Sequence, residues 1–171
     1  MDMIEIFFIP ISIAIIGYIA KLISDFILKS RERKFQLYER QLSEFYWPIY
    51  IRLHNNRAVW IRVLSKGKLY NKIENEIALS IEKNVILKNH IEIEEIIKSS
   101  IHIAFPDKIL IDSIKLYLKH VEIYKALKES DINNVFASDL KAGFPDTFEK
   151  VIKERTMAVQ NKLNKIYKNF I

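Results

Sequence analysis

Apolar positions run along this chain in two different patterns. Between Ile6 and Leu28 they are nearly continuous: no charge occurs from Ile6 to Ala20, and after Lys21 only Ser24 and Asp25 interrupt the run before Lys29. A helix over this stretch is roughly 34 Å long, and a bilayer's hydrocarbon core is about 30 Å thick. The pattern predicts one membrane-spanning helix. Pro10 is compatible with it, since in the first turns proline removes only a donor that has no intrahelical partner. Two rivals are a buried core helix, for which the uncharged part alone is short enough, and a cleaved secretory signal. Asp2 and Glu5 stand where a signal needs basic residues, and no small-residue cleavage site follows.

Beyond the stretch, apolar residues recur every third or fourth position, the period of an amphipathic helix. Phe35, Tyr38, Leu42, Phe45, Ile49 and Leu53 form one stripe, with Trp60 and Val63 beyond and Gly67 as a stop. Pro48 disfavours helical geometry at Trp47. The stripe therefore predicts one helix ending near Tyr46 and another starting with Pro48 at its first position, in preference to a kink. Ile73, Ile77, Ile81 and Val85 predict a further helix over 69–89, with a break at Asn89-His90. Ile91-Glu92-Ile93-Glu94 alternates like a strand, but a lone strand would have nothing to complete its hydrogen bonds, so a helix over about 92–103 is expected. Phe105-Pro106-Asp107 opens another: proline at the first position, an acid in the first turn, an aromatic placed to staple. Leu110, Ile114, Tyr117, Val121 and Tyr124 carry it to about Glu129. Residues 130–143 read as a loop with a short helical turn around 135–141. Phe144-Pro145-Asp146 repeats the opening, and Phe148, Ile152, Val159, Leu163, Ile166 and Phe170 carry the last helix.

The expected fold is all-α: an N-terminal transmembrane helix followed by an irregular cytoplasmic bundle of about five or six helices. Its divisions are a short extracytoplasmic N-terminus over 1–5, the span over 6–28, a basic juxtamembrane linker over 29–34 and the helical domain over 35–171. Composition supports this. With 3 glycines and 4 prolines in 171 residues, loops are few and elements long. The absence of cysteine excludes disulfides, cysteine-based zinc sites and a thiol nucleophile.

Charge adds orientation and candidate partners. Residues 29–72 hold eleven Lys or Arg against Glu32, Glu39 and Glu44, whereas 73–171 balance at 15 against 15. The basic excess lies beside the span, with Lys29, Arg31, Arg33 and Lys34 first, and the positive-inside rule places that flank in the cytoplasm and the N-terminus outside. These four residues are expected to contact anionic lipid headgroups, at about 1 kcal/mol each. Lys21 and Asp25, four apart on one face, form a candidate membrane-embedded charged pair. The rival is a Lys21 that snorkels to the headgroups, being about 22 Å into the helix. Phe45, Tyr46, Trp47 and Pro48 form an aromatic corner. Together with Arg40, Arg52, Arg57 and Arg62 it has the ingredients of a nucleic-acid surface; helical spacing favours an aromatic core with a solvated basic back.

Catalytic chemistry finds little support. Gly17, Gly67 and Gly143 are too scattered for a phosphate loop. His54, His90, His102 and His120 show no metal-ligating spacing, and His90 with Glu94 reads as a surface pair. Lys115-Leu116-Tyr117-Leu118-Lys119-His120 resembles the arginine-spacer-histidine signature of HEPN-type ribonucleases, which are small helical bundles. Lysine stands where that motif has arginine, which removes the bidentate phosphate contact. No catalytic residue, metal or cofactor is expected. The expected function is a membrane-anchored, non-enzymatic interaction, scaffold or sensor module that binds a protein partner or itself. The alternatives are an oligomerising effector that permeabilises the bilayer, as in stress or phage defence, and a tethered nucleic-acid binder.

Overall fold

The computed structural model describes the backbone of residues 3–61, 72–130 and 135–168, and side chains from residue 14 in the first helix and residue 76 in the third. Among these residues there is helix and no strand. The helices are α1 (Met3–Arg40), α2 (Trp47–Val59), α3 (Lys72–Ile81), α4 (Lys88–Ser100), α5 (Lys108–Glu129) and α6 (Asp146–Lys168). They make four rods, because α1 runs into α2 and α3 into α4, each pair joined by one π-helical segment.

The helix break expected at Trp47-Pro48 does not occur. Backbone angles stay right-handed helical at Arg40, Tyr46 and Trp47, and the chain passes through a π-helical turn over Gln41–Tyr46. The Trp47 N–H donates to the Leu42 carbonyl, one residue further back than in an α-helix. Lengthening the loop of hydrogen bonds ahead of Pro48 accommodates its missing donor without ending the rod. The wider turn buries two adjacent pairs, Gln41 with Leu42 and Phe45 with Tyr46. The aromatic corner is thus a core element, with Trp47 and Pro48 half-buried.

A second π-helical turn, over Glu82–Leu87, replaces the break expected at Asn89-His90. Continued at strict α spacing, the Ile77-Ile81-Val85 stripe would turn Lys88 and Asn89 toward the core. One extra residue in the turn resets the face, so that Ile86, Leu87, His90, Ile93 and Ile97 are buried and Ile77 is exposed. Asn89 caps nothing; its amide donates to the Asn56 side chain at 2.6 Å. The helix expected over 92–103 is present as α4 and a 3-10 turn over Ile101–Ala104. The last carbonyls of that rod are satisfied from the first: Gln41 Nε2 donates to Ile103 O at 2.8 Å and the Tyr46 hydroxyl to Ala104 O at 3.3 Å.

The first Phe-Pro-Asp opening works differently from expectation. Asp107, not Pro106, sets the start of α5 as its N-cap, accepting from the Leu110 N–H at 3.0 Å. That amide, and then the Arg155 guanidinium donating from α6, hold the Asp107 carboxyl below its usual range. Phe105 is exposed in the left-handed region at φ 47 and staples nothing. Residues 137–141 form successive tight turns, closed by Lys141 at φ 54 and an Ala142 N–H to Ala137 O bond of 2.9 Å.

One core joins the rods. Leu42, Phe45, Ile49 and Leu53 meet Ile93 and Ile97, then Leu110, Ile114, Tyr117 and Val121, then Phe148, Ile152 and Val159. The stripe predicted for α5 is buried at every position.

The N-terminal stretch is otherwise. Helix α1 continues unbroken through 29–34, so the basic linker belongs to the same rod. Ile15, Ile16, Tyr18, Ile19, Leu22, Ile23, Phe26, Ile27 and Leu28 are all exposed. At 100° per residue eight of the nine share one half of the circumference, and Leu28 lies on the other side with Gly17, Lys21, Ser24 and Asp25. Among the described residues no helix is long and apolar enough to cross a membrane. The expected span Ile6–Leu28 therefore lacks that support: within the part whose side chains are described, every 18-residue window contains Asp25, Lys29 and Arg31. The side chains of 6–13, the more apolar end, lie outside the described residues.

Candidate cavity between the helices

Away from the exposed N-terminal arm of α1, residues 14–34, a cavity of about 470 Å³ is enclosed by α2, the second π-helical turn, α4, α5, α6 and the 135–143 segment. Its inner wall is Leu53, Ile86, His90, His120, Tyr124 and Phe144, and its rim includes Arg57, Trp60, Lys128 and Glu149. Residues from every rod contribute.

The polar centre is a stack of rings supplied mainly by α5. Tyr117, His120 and Tyr124 follow one another at spacings of three and four, and so share its buried face. His90 comes from α4, its ring centroid 5.6 Å from Tyr117, 5.4 Å from His120 and 5.6 Å from Tyr124. Its Nδ1 meets the Tyr117 hydroxyl at 2.8 Å. His120 Nδ1 donates to the Ala142 carbonyl at 2.8 Å, which ties the end of the 135–143 segment to α5. Phe144 closes the stack edge-on to His120 at 5.5 Å.

Burial governs the protonation of these groups. It pushes His90 down to about 3, and the neighbouring His120 adds to the shift. Burial also lowers His120, against the opposing effect of its hydrogen bond to the Ala142 carbonyl. Both rings are neutral at pH 7. Burial raises Tyr117 and Tyr124 well above the ordinary phenol range, reinforced in Tyr124 by Glu82. At the rim, the Tyr124 hydroxyl donates to Glu82 Oε1 at 2.6 Å while Lys128 Nζ meets Glu82 Oε2 at 2.9 Å. Opposite, Arg57 pairs with Glu149 at 3.1 Å. Among the described residues no cluster of three or more His, Asp or Glu is arranged to hold a metal ion.

The residues singled out from sequence lie elsewhere. Lys21 and Asp25 are in the arm, Asp25 half-buried and Lys21 exposed, and no ion pair joins them. Lys29, Arg31, Arg33 and Lys34 are exposed along α1. Of the arginines beside the aromatic corner, Arg40 pairs with Glu44, Arg52 with Glu92 and Arg57 with Glu149; Arg62 lies outside the described residues. His90 is not a surface partner of Glu94, which pairs instead with Lys98 at 2.5 Å. In the Lys115-to-His120 run, Lys115 points to solvent beside Asp112 and His120 points into the core. The run brings no cation to the histidine.

Sequence reasoning missed the cavity. Its one local signal was the set of polar-tipped rings, Tyr117, His120 and Tyr124, on a stripe otherwise made of Leu, Ile and Val. Comparison with family models, curated proteins and solved structures returns no match for this chain.

Proposed function

We propose that this chain is a non-enzymatic helical module tethered to a membrane by its N-terminal helix, with the bundle acting at the cytoplasmic face as a sensor or interaction domain. The observation that carries the reading is the broad band of exposed apolar side chains from Ile15 to Leu28. Each forgoes on the order of 1 kcal/mol by remaining partly in water. Among the described residues no other rod covers them, and a band of large apolar side chains half the circumference wide fits a hydrocarbon phase. The uncharged sequence from Ile6 to Ala20 extends the same character toward the N-terminus. Exposed Lys29, Arg31, Arg33 and Lys34 follow directly, where headgroups would meet them.

The test is membrane fractionation with an alkaline carbonate wash, comparing the full chain with a version starting at Lys34. Retention of the full chain in the washed pellet, with the shortened form in the supernatant, is the expected result. Release of both by the wash would end the anchor reading and leave the arm as a docking helix for a protein.

A further inference from the structure

The two histidines of the cavity present a matched donor and acceptor that the protein itself leaves unused. His120 Nδ1 faces a carbonyl oxygen, which only accepts, so the proton of the neutral ring is on Nδ1 and Nε2 carries a lone pair. His90 Nδ1 faces the Tyr117 hydroxyl, whose residue is fully buried and has no second hydrogen-bond partner. If that hydroxyl accepted, its own hydrogen would be stranded in the core, a costly state. Tyr117 therefore donates, and His90 carries its proton on Nε2.

Neither Nε2 has a protein partner, and the two rings, 5.4 Å apart and steeply inclined, are not hydrogen-bonded to each other. No side-chain nitrogen or oxygen among the described residues is both fully buried and unpartnered. Each Nε2 thus keeps accessible surface, although the residues are only 3% and 7% exposed. The surface they keep is the wall of the cavity they line. Phe144 and Tyr124 flank the pair, Trp60 lines the rim, and about 470 Å³ falls in the range of small-molecule pockets. Charge selects against an anion: Arg57 and Lys128 are each matched by a carboxylate, and Asp146 adds a further acid to the lining.

We propose that this cavity binds a flat, uncharged heterocycle carrying an N–H beside a carbonyl, with the N–H donating to His120 Nε2 and the carbonyl accepting from His90 Nε2–H. Such a lactam edge occurs in nucleobases and in many fused-ring signals. It satisfies both ring nitrogens at once while the ring plane stacks on the aromatic wall. This site is independent of the anchor, and it would give a membrane-held bundle something to sense.

Calorimetric titration of the full chain in detergent micelles tests it, with carbostyril, hypoxanthine and uracil as probes and N-methylcarbostyril as the control. At least one lactam binds with a Kd of about 1 mM or tighter. Methylating the carbostyril nitrogen removes one donor and weakens binding about tenfold or more. His120→Phe, which removes the acceptor, gives a loss of similar size. The comparison of carbostyril with its methyl derivative uses the unaltered protein and does not depend on that variant folding. Equal binding of the two, or no binding by any of the three lactams, overturns the assignment.

Discussion

Between Ile15 and Leu28 the chain exposes its large apolar side chains; between Leu42 and Leu53 it buries Leu42, Phe45, Tyr46, Ile49 and Leu53 almost completely. Both segments are rich in Ile, Leu and aromatics, and both lie in one nearly continuous rod. The difference is arrangement. In the second segment apolar residues are spaced by three and four with Ser43, Glu44 and Arg52 between, so a single face must be covered and three other rods suffice. In the arm the large apolar residues cover half the circumference, and among the described residues no other rod lies against them. The amount of hydrophobic surface does not decide where a helix goes. What decides is whether another rod of the chain lies against it.

The sharpest way to test that division is to remove a ring from the covered region. Phe148 is fully buried and stacks on Tyr117 with centroids 4.2 Å apart. Phe148→Ala leaves a cavity there and lowers unfolding free energy by about 3–5 kcal/mol, most of what a domain this size has to spare. Urea unfolding followed by circular dichroism measures it. A loss below about 1 kcal/mol would mean that α6 is not part of one cooperative core.

Acid is the second probe, because the bundle has buried histidines and the sequence of α1 has none. His90 is held near 3 against an ordinary 6.5. Above the ordinary value both folded and unfolded chains hold the ring neutral. Below it the unfolded chain takes up a proton that the folded one excludes, so stability falls with pH until about 3 and then levels off. The expected slope is about 1.4 kcal/mol per pH unit from this residue, with His120, lowered in the same direction, adding at the upper end. His90→Gln should flatten the curve by one histidine's share, whatever it does to stability at neutral pH. An unchanged slope would place the acid sensitivity elsewhere.

How much of this could be read from the residues depends on the range of the interactions. The α5 stripe needed only its own neighbours, and Leu110 to Tyr124 is buried as the spacing predicts. The two helix breaks were misread because each local signal has a non-local answer. Pro48 is accommodated by a π-helical turn upstream, and Asn89, a good breaker in isolation, is used for a bond to Asn56 on another rod. The cavity was legible least of all. His90 becomes a partner of Tyr117 and His120 only after the Glu82–Leu87 turn rotates α4 by one residue, and no periodicity announces that rotation.

Charge divides along the same line as hydrophobicity, and Arg52 tests it at smaller scale. In the bundle it meets Glu92 at 2.6 Å and the Pro48 carbonyl at 3.0 Å, with both partners about one-third exposed. Arg52→Ala should cost about 1 kcal/mol, reduced at high salt, since the pair is partly screened. Membrane fractionation should be unchanged by it. A drop in the pelleted share would show that basic residues of the bundle, and not only Lys29 to Lys34, meet the lipid surface.

The smallest expected effect is the most telling for the comparison. Ile16 and Ile19 are 66% and 49% exposed, and neither touches the core clusters. Ile16→Arg with Ile19→Arg should move the bundle's unfolding free energy in detergent by less than about 0.5 kcal/mol, as substitutions away from packed or capped positions do. The same two changes should release the chain from the washed membrane pellet, because each arginine near the centre of an inserted helix costs about 3 kcal/mol. The two readouts must separate. If the bundle loses more than about 1 kcal/mol, the arm is packed on it in solution and its exposure is not that of an anchor. If both readouts stay still, the arm is idle at the membrane, and the apolar band must be assigned to a protein partner that tolerates charge at those positions.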